Sequence, residues 1–500
     1  MYLDHVLRIY LLLVSFQLGA TVLQLPSFPQ VRVQQFPQAN VVPATKADFL
    51  ASDSSVWKIA VRGVTRNGRL FHSKRFLPCD QVHQISEPQP GRIRVHTSCG
   101  DSEIWFENQT LEAKARHYQG IAGRHDRYGF IADSPKGKPT SSDNDGLWTA
   151  MYAAANLFEY RSTGSNEALR RAERAIRAIL FLEKITGVPG YPARTYVRTE
   201  DPKPKDGVWY PSADGKYQWK SDTSSDEIVG HFLIFSIGWD LLPPGPLRSE
   251  LQATCRRMID FILKNHYYLI DRNGKPTRWG KWSPDYFNGE GRSDSPLNAI
   301  ELLSFLTTAG HVTGDARYDR ELKKVAEDLG YLKIAGELKT RSVEINYSDE
   351  ELAMLSFYPL LLHGKNPTYN TAIRRALDDW FENIRREKNP LWNTIYEIVR
   401  GENKTLRQES IATLQRLPLD LTTWTVENSW RKDLPLEAKL DRFDKKQTTQ
   451  WIPPDERQVI KWNGNPFVLD GGDGGQSEDD GTIFLLPYWM GRYHKLWEER

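Results

Sequence analysis

The chain has 500 residues, of which 39% are hydrophobic and 26% are charged, and its formal net charge at pH 7 is +2. This balance is that of an ordinary soluble protein, and it argues against a nucleic-acid partner because no block of like charge is present. The length exceeds what one compact core usually holds, unless the fold is a large barrel or a toroid. The sixteen tryptophans and twenty-one tyrosines suit either sugar-stacking surfaces or a large helical core.

Residues 1–24 fit a secretory signal peptide. Arg8 precedes the apolar run 9–14, and the small pair Gly19-Ala20 follows it. The run is too short for a membrane span, so we expect no stable membrane insertion. Residues 25–49, with repeated Pro, Gln and Val, are predicted to form an extended linker. These features predict a secreted or periplasmic protein.

Residues 50–118 alternate in polarity as strands do, and the turn at 66–68 (Arg-Asn-Gly) predicts a β-hairpin. This segment is interpreted as a small antiparallel β module. It contains Cys79 and Cys99, which are either a disulfide or two buried thiols, and export would permit the disulfide.

From residue 119 to residue 500 the pattern becomes mainly helical, with a loop-rich part at 420–482. Helices that are apolar on every face alternate with amphipathic ones. The apolar segments are 146–160, 222–242, 296–312 and 348–362; the amphipathic ones are 166–184, 247–268, 318–329 and 369–386, and 391–399 is a candidate start for a fifth pair.

A fully buried helix followed by a helix with one wet face is the arrangement of an α/α toroid. Its odd helices form an inner barrel and its even helices form the outer shell, whereas an open solenoid exposes a face of both. We therefore predict a mainly α fold, an (α/α) toroid of helical hairpins with a small N-terminal antiparallel β module.

Acidic residues precede each predicted inner helix. The inner helices of a toroid run the same way, so these carboxyl groups are expected to meet at one rim. A glycosidase needs two such groups, one protonated and one ionised, and convergence raises the pKa of one of them. Helix capping is the alternative role for each acid. The candidate catalytic residues are Asp143, Asp145, Asp226, Glu227, His231 and Asp285.

Aromatic and charged residues near the same rim are candidates for substrate binding. Arg194 could hold an anionic substrate through its guanidinium group or pair with a rim acid. The candidate substrate-binding residues are Trp148, Arg194, Tyr196, Trp279, Trp282, Tyr286, Asp349 and Glu350.

Metal binding has little support in the sequence. Glu227 and His231 lie four residues apart and could share a proton or a metal, but no Cys/His cluster accompanies them, so no metal is predicted in the site. The Gly/Asp-rich run 470–481 has the composition of a calcium loop without EF-hand spacing. A structural calcium ion near Asp470, Asp473 and Asp479 therefore competes with a flexible polar loop as its interpretation.

The helix pairs, the acidic barrel mouth and the export signal resemble the six-hairpin (α/α) toroid superfamily of carbohydrate-active enzymes, which includes glycoside hydrolases, polysaccharide lyases and sugar epimerases. The resemblance is architectural and covers residues 141–416, so no catalytic residue is transferred from a relative.

The first hypothesis is a glycoside hydrolase acting on a polysaccharide or oligosaccharide through paired carboxylates. On this hypothesis Asp145→Asn and Glu227→Gln abolish turnover with little loss of stability. The second is a lyase or epimerase of uronic-acid-containing glycans, in which Arg194 neutralises the uronate and the proton shuttle is His231 or a tyrosine, Tyr196, Tyr286 or Tyr347. The third is a non-catalytic carbohydrate-binding protein.

Overall fold

The structure, a computed structural model, describes residues 22–37, 48–337 and 345–499. Nearly all of the predicted signal peptide lies outside these ranges. The strands are β1 (Leu23–Leu25), β2 (Phe28–Pro37), β3 (Phe49–Leu50), β4 (Val56–Ile59), β5 (Val64–Arg66), β6 (Arg69–Phe71), β7 (Val82–Gln89), β8 (Arg92–Thr97), β9 (Gly100–Gln109), β10 (Asp126–Arg127), β11 (Phe130–Ile131), β12 (Thr195–Arg198), β13 (Trp209–Pro211), β14 (Tyr217–Lys220), β15 (Tyr268–Ile270), β16 (Pro276–Lys281), β17 (Val426–Glu427), β18 (Asp470–Gly471) and β19 (Trp497–Glu499).

Two four-stranded antiparallel sheets form the N-terminal β region, one with the order β2-β9-β8-β7 and one with the order β3-β4-β5-β6. The linker prediction is wrong for β2, which pairs with β9 over ten residues from Phe28 opposite Gln109 to Pro37 opposite Gly100. Its partner strand satisfies the backbone groups that a linker would leave to water. Val31 consequently enters the apolar core between the sheets.

The disulfide and the hairpin predicted for the β region are both confirmed. Cys79 and Cys99 are bonded, with their Cα atoms 5.8 Å apart. Asn67 and Gly68 both have positive φ, 46° and 86°. Positive φ at both central residues is the backbone conformation of a tight two-residue turn between the strands of a hairpin.

The helices begin directly after β9, so the predicted module boundary at residue 118 falls inside the first of them. They are α1 (Leu111–Arg124), α2 (Asp145–Thr163), α3 (Asn166–Thr186), α4 (Ser225–Leu241), α5 (Pro246–Lys264), α6 (Pro284–Asn288), α7 (Ser295–Thr313), α8 (Ala316–Lys323), α9 (Tyr331–Ala335), α10 (Tyr347–His363), α11 (Pro367–Ile384), α12 (Pro390–Arg400), α13 (Lys404–Arg416) and α14 (Thr482–Tyr493).

Six helices contact one another in a closed cycle, in the order α2, α4, α7, α10, α12, α14 and back to α2. The other long helices pack outside this ring: α3 on α2, α5 on α4, α8 and α9 on α7, α11 on α10, and α13 on α12. The sixth pair joins α1 to α14, which come from opposite ends of the chain. The chain therefore closes the ring by bringing its two ends together.

Burial follows the predicted division between inner and outer helices. His231 and Phe235 on α4 are fully buried, whereas Arg174 on α3 is exposed and Arg257 on α5 is partly exposed. Trp148 on α2 is only partly buried because it lies in the first turn, at the rim of the ring. No described helix is both long enough and apolar enough to cross a bilayer.

Glycine allows α2 and α4 to approach closely. A Cβ on Gly230 would lie 2.5 Å from the Cα of Leu147, and backbone atoms cannot move aside as a side chain can. We expect Gly230→Ala to lower the free energy of unfolding by about 1–3 kcal/mol. Urea-induced unfolding measures the change.

The matched control is Gly120→Ala. Gly120 is exposed within α1, and a Cβ there would meet no atom within 4 Å. Alanine at that site is expected to raise stability by about 0.5–1 kcal/mol, because it costs less backbone entropy than glycine. Equal changes in the two variants would show that α2 and α4 do not pack this closely.

The predicted loop-rich part, 420–482, packs against both the β region and the ring. Asp455, almost fully buried, forms ion pairs with Arg69 of β6 and Arg416 of α13. Glu456 adds pairs with Arg416 and Arg431. This network anchors the segment and brings Lys461 to the start of α2, where its Nζ lies 4.5 Å from the centre of the Trp148 ring.

Candidate functional site

The first turns of the inner helices meet at one end of the ring, which we call the N-terminal rim. The Gly146 N–H donates to Glu227 Oε1 at 2.9 Å, and Asn144 Nδ2 donates to Asp226 Oδ1 at 3.4 Å. These contacts join the starts of α2 and α4. The segment that contains Asp143 and Asp145 therefore lies beside the start of α4, where Asp226 and Glu227 are found.

Asp145 is enclosed and saturated with hydrogen bonds. Its carboxylate is fully buried, pairs with Arg127, accepts from the Thr195 hydroxyl, and accepts from the N–H and hydroxyl of Ser142 at 3.0 Å each. Burial raises the pKa of Asp145, and the Arg127 guanidinium opposes that rise. This arrangement supports a structural role better than a catalytic one.

Asp143 lies at the outer edge of the rim and keeps 57% of its side chain exposed. It pairs with Lys220 Nζ at 2.5 Å. Arg194 is also engaged by the chain: its Nε donates to the Asp143 carbonyl at 2.7 Å and its Nη2 donates to Asn144 Oδ1 at 3.1 Å. Arg194 thus holds the loop before α2, which leaves it poorly placed for the substrate role predicted for it.

Glu227 and His231 are buried between α2 and α4. Glu227 Oε2 has no hydrogen-bond partner in the described part of the chain, and neither has His231 Nε2. His231 Nδ1 donates to the Glu227 carbonyl at 2.7 Å. Burial, with the Asp145 and Asp226 carboxylates adding to it, raises the pKa of Glu227 well above its usual range. The raised pKa favours the protonated form of Glu227, and neither side chain reaches solvent.

This raised pKa makes stability depend on pH. The folded state keeps the Glu227 proton at pH values where the unfolded chain has lost it. The stability that this proton contributes to the fold is therefore fully present below about pH 4.3, and it is lost as the pH rises through the folded-state pKa. Glu227→Gln stays neutral at every pH. We expect its melting temperature, relative to that of the parent protein, to rise as the pH increases above about 4.3 toward the folded-state pKa.

The control for this experiment is Glu382→Gln, on the exposed face of α11. Its melting temperature should follow that of the parent protein at every pH. A constant difference between Glu227→Gln and the parent across the range would show that Glu227 titrates normally.

A second group of acids lies at the rim where α10 and α14 begin. Glu351, in the first turn of α10, is 1% exposed, and its Oε1 has no hydrogen-bond partner among the described residues. Burial raises the pKa of Glu351 well above its usual range, and the Asp226 carboxylate adds to this rise while Lys461 opposes it. Asp226, partly exposed on α4, has a pKa that burial raises as well.

Asp479 and Asp480 precede α14 in the same way. Both are almost fully buried, and Asp479 Oδ1 accepts from the Gly481 N–H at 2.9 Å. Burial and the neighbouring Asp480 raise the pKa of Asp479 to about 8. Lys461 pairs with Asp133 at 2.7 Å and also interacts with Asp479 and Asp480. The Lys461 ammonium group therefore interacts electrostatically with several carboxylates at the rim.

Sequence reasoning placed none of Glu351, Lys461 and Asp480 in the site, and it considered Asp479 only for calcium. A signal existed for the acids. Glu351 is the third consecutive acid at the start of an apolar helix, which is more than capping requires. The Asp479-Asp480 pair directly precedes an apolar helix that was not recognised as part of the ring.

A cleft is lined in part by residues at the start of α10. A cavity of about 460 Å³ lies between the start of α10 and the loop-rich part, a volume typical of ligand pockets. Its lining includes Tyr347, Arg386, Asp441 and the exposed Phe443. Glu350, beside Glu351, raises the pKa of the buried Glu387 further above its usual range, after burial itself. The lining of the cleft thus combines aromatic rings with charged side chains.

The remaining predicted residues are dispersed. Tyr196 is buried among other aromatic rings, and Trp282 is a core residue that donates to Glu301 Oε2 at 2.7 Å. Tyr286 donates to Asp294 Oδ2 at 2.8 Å. Trp279 and Asp285 are exposed. Trp148, Asp349 and Glu350 lie in the first turns of inner helices. Among the predicted substrate-binding residues, these three best fit the prediction that such residues lie near the rim.

The carboxylates considered for calcium accept hydrogen bonds from the chain itself, Asp473 and Asp479 within their own turns and Asp470 from the distant segment at Ser429. Asp470 accepts from the Ser429 N–H at 2.9 Å and Asp473 accepts from the Gln476 N–H at 2.8 Å. Within the described ranges, these two and Asp479 are not brought together as a metal-binding group.

No protein-family model matches the chain, and no curated protein matches its sequence. Solved structures that are similar to it include two sugar epimerases. Cellobiose 2-epimerase from Spirochaeta thermophila has a TM-score of 0.37 and 11% identity, covering 77% of this chain and 97% of that one. A sugar epimerase from a ruminal bacterium has a TM-score of 0.40 and 12% identity, covering 75% and 98%. Sugar epimerases are among the enzymes of the superfamily that the sequence resembles, and at these TM-scores the likeness assigns neither a family nor an activity to this chain.

Proposed function

We propose that this protein is a carbohydrate-active enzyme whose rim carboxyl groups transfer protons to and from a sugar. The observation that carries the proposal is the position of Asp226 on α4 and Glu351 on α10, two acids near the starts of inner helices that contact each other, with the Asp226 carboxylate adding to the raised pKa of Glu351. Capping alone would direct each acid into its own helix and would not bring the two together.

We also propose that the closed cycle of helices is an (α/α) toroid. The paired outer helices and the shared N-terminal rim support this architecture.

Export is proposed as well, and the Cys79–Cys99 disulfide supports it because such bonds persist in oxidising compartments.

Hydrolysis is the first reaction that this geometry supports. Glu351, whose raised pKa favours the protonated form, would donate a proton to the leaving oxygen of a glycosidic bond. Asp226, partly exposed, would act on the anomeric carbon or on a water molecule once ionised. The ring of Trp148 and the rings lining the cleft would stack on sugar faces.

Epimerisation is the second candidate, and Asp479 favours it. A carboxyl group with a pKa of about 8 is populated in both protonation states near neutral pH, so it can take a proton from a sugar carbon and return one. The ammonium group of Lys461 nearby would stabilise negative charge that develops on the sugar during such a step.

Incubation of the purified protein with neutral and uronic-acid-containing oligosaccharides in deuterated water tests the proposal. Hydrolysis releases new reducing ends. Epimerisation yields a diastereomer carrying deuterium on carbon without new reducing ends, and elimination yields an ultraviolet-absorbing product. Saturable sugar binding with none of these products would contradict an enzymatic role and favour a binding protein.

A further inference from the structure

A histidine and carboxylate cluster lies at the end of the ring opposite the N-terminal rim. Asp240 is next to the last residue of α4, His311 is in the last turn of α7, and His363 is the last residue of α10. These three inner helices are consecutive in the ring. Because they run in the same direction, their C-terminal ends bring together residues that are far apart in the chain.

The three side chains have the separations of metal ligands. One ligand atom from each lies within 4.8 Å of the others, and in the described ranges this is the one such group of three or more. His311 Nε2 is 2.7 Å from Asp240 Oδ1, and His363 Nε2 is 3.6 Å from Asp240 Oδ2. Ligands bound to zinc at about 2.0–2.2 Å are themselves about 3–3.5 Å apart, so small side-chain movements would complete such a site.

Neighbouring polar groups fit a metal centre with an open position. Ser236, one turn before Asp240, lies with its hydroxyl 2.8 Å from His363 Nε2. Thr307, one turn before His311, is 6% exposed, and its hydroxyl has no hydrogen-bond partner among the described residues. Both hydroxyls are available to a water molecule on a metal, the kind of outer contact that such sites use.

The cluster is also accessible. His363 and Thr307 line a surface cavity of about 580 Å³, which gives an ion and its water ligands a path from solvent. Asp240 and His311 keep 33% and 29% of their side chains exposed. A cluster that served packing alone would not need to border an open cavity.

We propose that Asp240, His311 and His363 bind one divalent transition-metal ion of the zinc class, with a further position open to water. Two imidazoles and one carboxylate favour Zn²⁺, Co²⁺ or Ni²⁺ over Mg²⁺ and Ca²⁺, which prefer ligand sets made only of oxygen. The site is independent of the proposed carbohydrate chemistry, because it lies at the other end of the ring. It also differs from the sequence-based prediction of no metal.

Titration of the chelator-treated full chain with Zn²⁺ in a calorimeter tests the proposal, with Co²⁺ as a spectroscopic probe. We expect one equivalent per chain and visible absorption from bound Co²⁺. His311→Ala and Asp240→Asn are expected to weaken Zn²⁺ binding by more than about 100-fold. Loss of a residue that only hydrogen-bonds a metal ligand typically weakens binding by about 10–100-fold. His311→Gln, closer in size, is expected to lose the same affinity while keeping the parental far-ultraviolet circular dichroism spectrum.

The control is His117→Ala, an exposed histidine on α1, which should keep one equivalent at parental affinity. Absence of stoichiometric binding in the parent protein would overturn the proposal. Parental affinity in folded His311→Gln would overturn it too, because the metal would then be held elsewhere.

Discussion

Asp145→Asn is expected to lower the free energy of unfolding by about 3–5 kcal/mol, the cost typical of breaking a buried ion pair. Asp145 is fully buried, and its carboxylate is bonded to Arg127. Asparagine would leave the Arg127 guanidinium buried without a compensating charge. This outcome is opposite to the sequence-based expectation that the variant keeps its stability. Equilibrium unfolding in urea gives the difference.

Asp143→Asn is the matched control, two residues earlier in the same loop. Its side chain is 57% exposed and pairs with Lys220, and pairs with an exposed partner contribute about 0–1 kcal/mol. A small effect is therefore expected. If the two variants lost the same stability, the buried pair would not be the reason, and strain in the loop before α2 would have to be considered.

Glu351→Gln is expected to reduce turnover of the true carbohydrate substrate by about 10²–10⁴-fold, the range typical of removing a general acid or base. Because burial raises the pKa of Glu351 well above its usual range and so favours its protonated form, glutamine replaces it with a neutral group of similar shape. The melting temperature should therefore change little near pH 7. Steady-state kinetics and a thermal scan on the same sample measure both quantities.

Glu382→Gln, with the same chemical change on the exposed face of α11, should keep parental turnover and stability. Asp226→Asn extends the experiment to the partner acid and should lose turnover as Glu351→Gln does. Parental turnover in both Glu351→Gln and Asp226→Asn would remove the proposed acid pair from the mechanism and direct attention to Asp479 and Asp480.

The amino-acid sequence by itself determined the features that depend on neighbours along the chain. Residues 228–241 are apolar on every face, which required a helix covered on all sides, and α4 is such a helix. The Asn67-Gly68 pair specified the hairpin turn, because these residues tolerate positive φ. The inner and outer helices were predicted for the same reason, since hydrophobic periodicity reports which faces a helix buries.

The tertiary structure alone decided the features that depend on distant partners. The polar sequence of β2 becomes a strand only because β9, far along the chain, supplies its hydrogen bonds. The ring closes where α14 contacts α2, and α1 packs outside α14, although no local pattern relates these distant segments. Asp145 carries a strong local signal but is neutralised by Arg127, whereas Glu351 forms no ion pair within the part of the chain that the structure describes. Local propensity shows which acids begin helices; only packing determines which of them are paired, buried or left able to exchange protons.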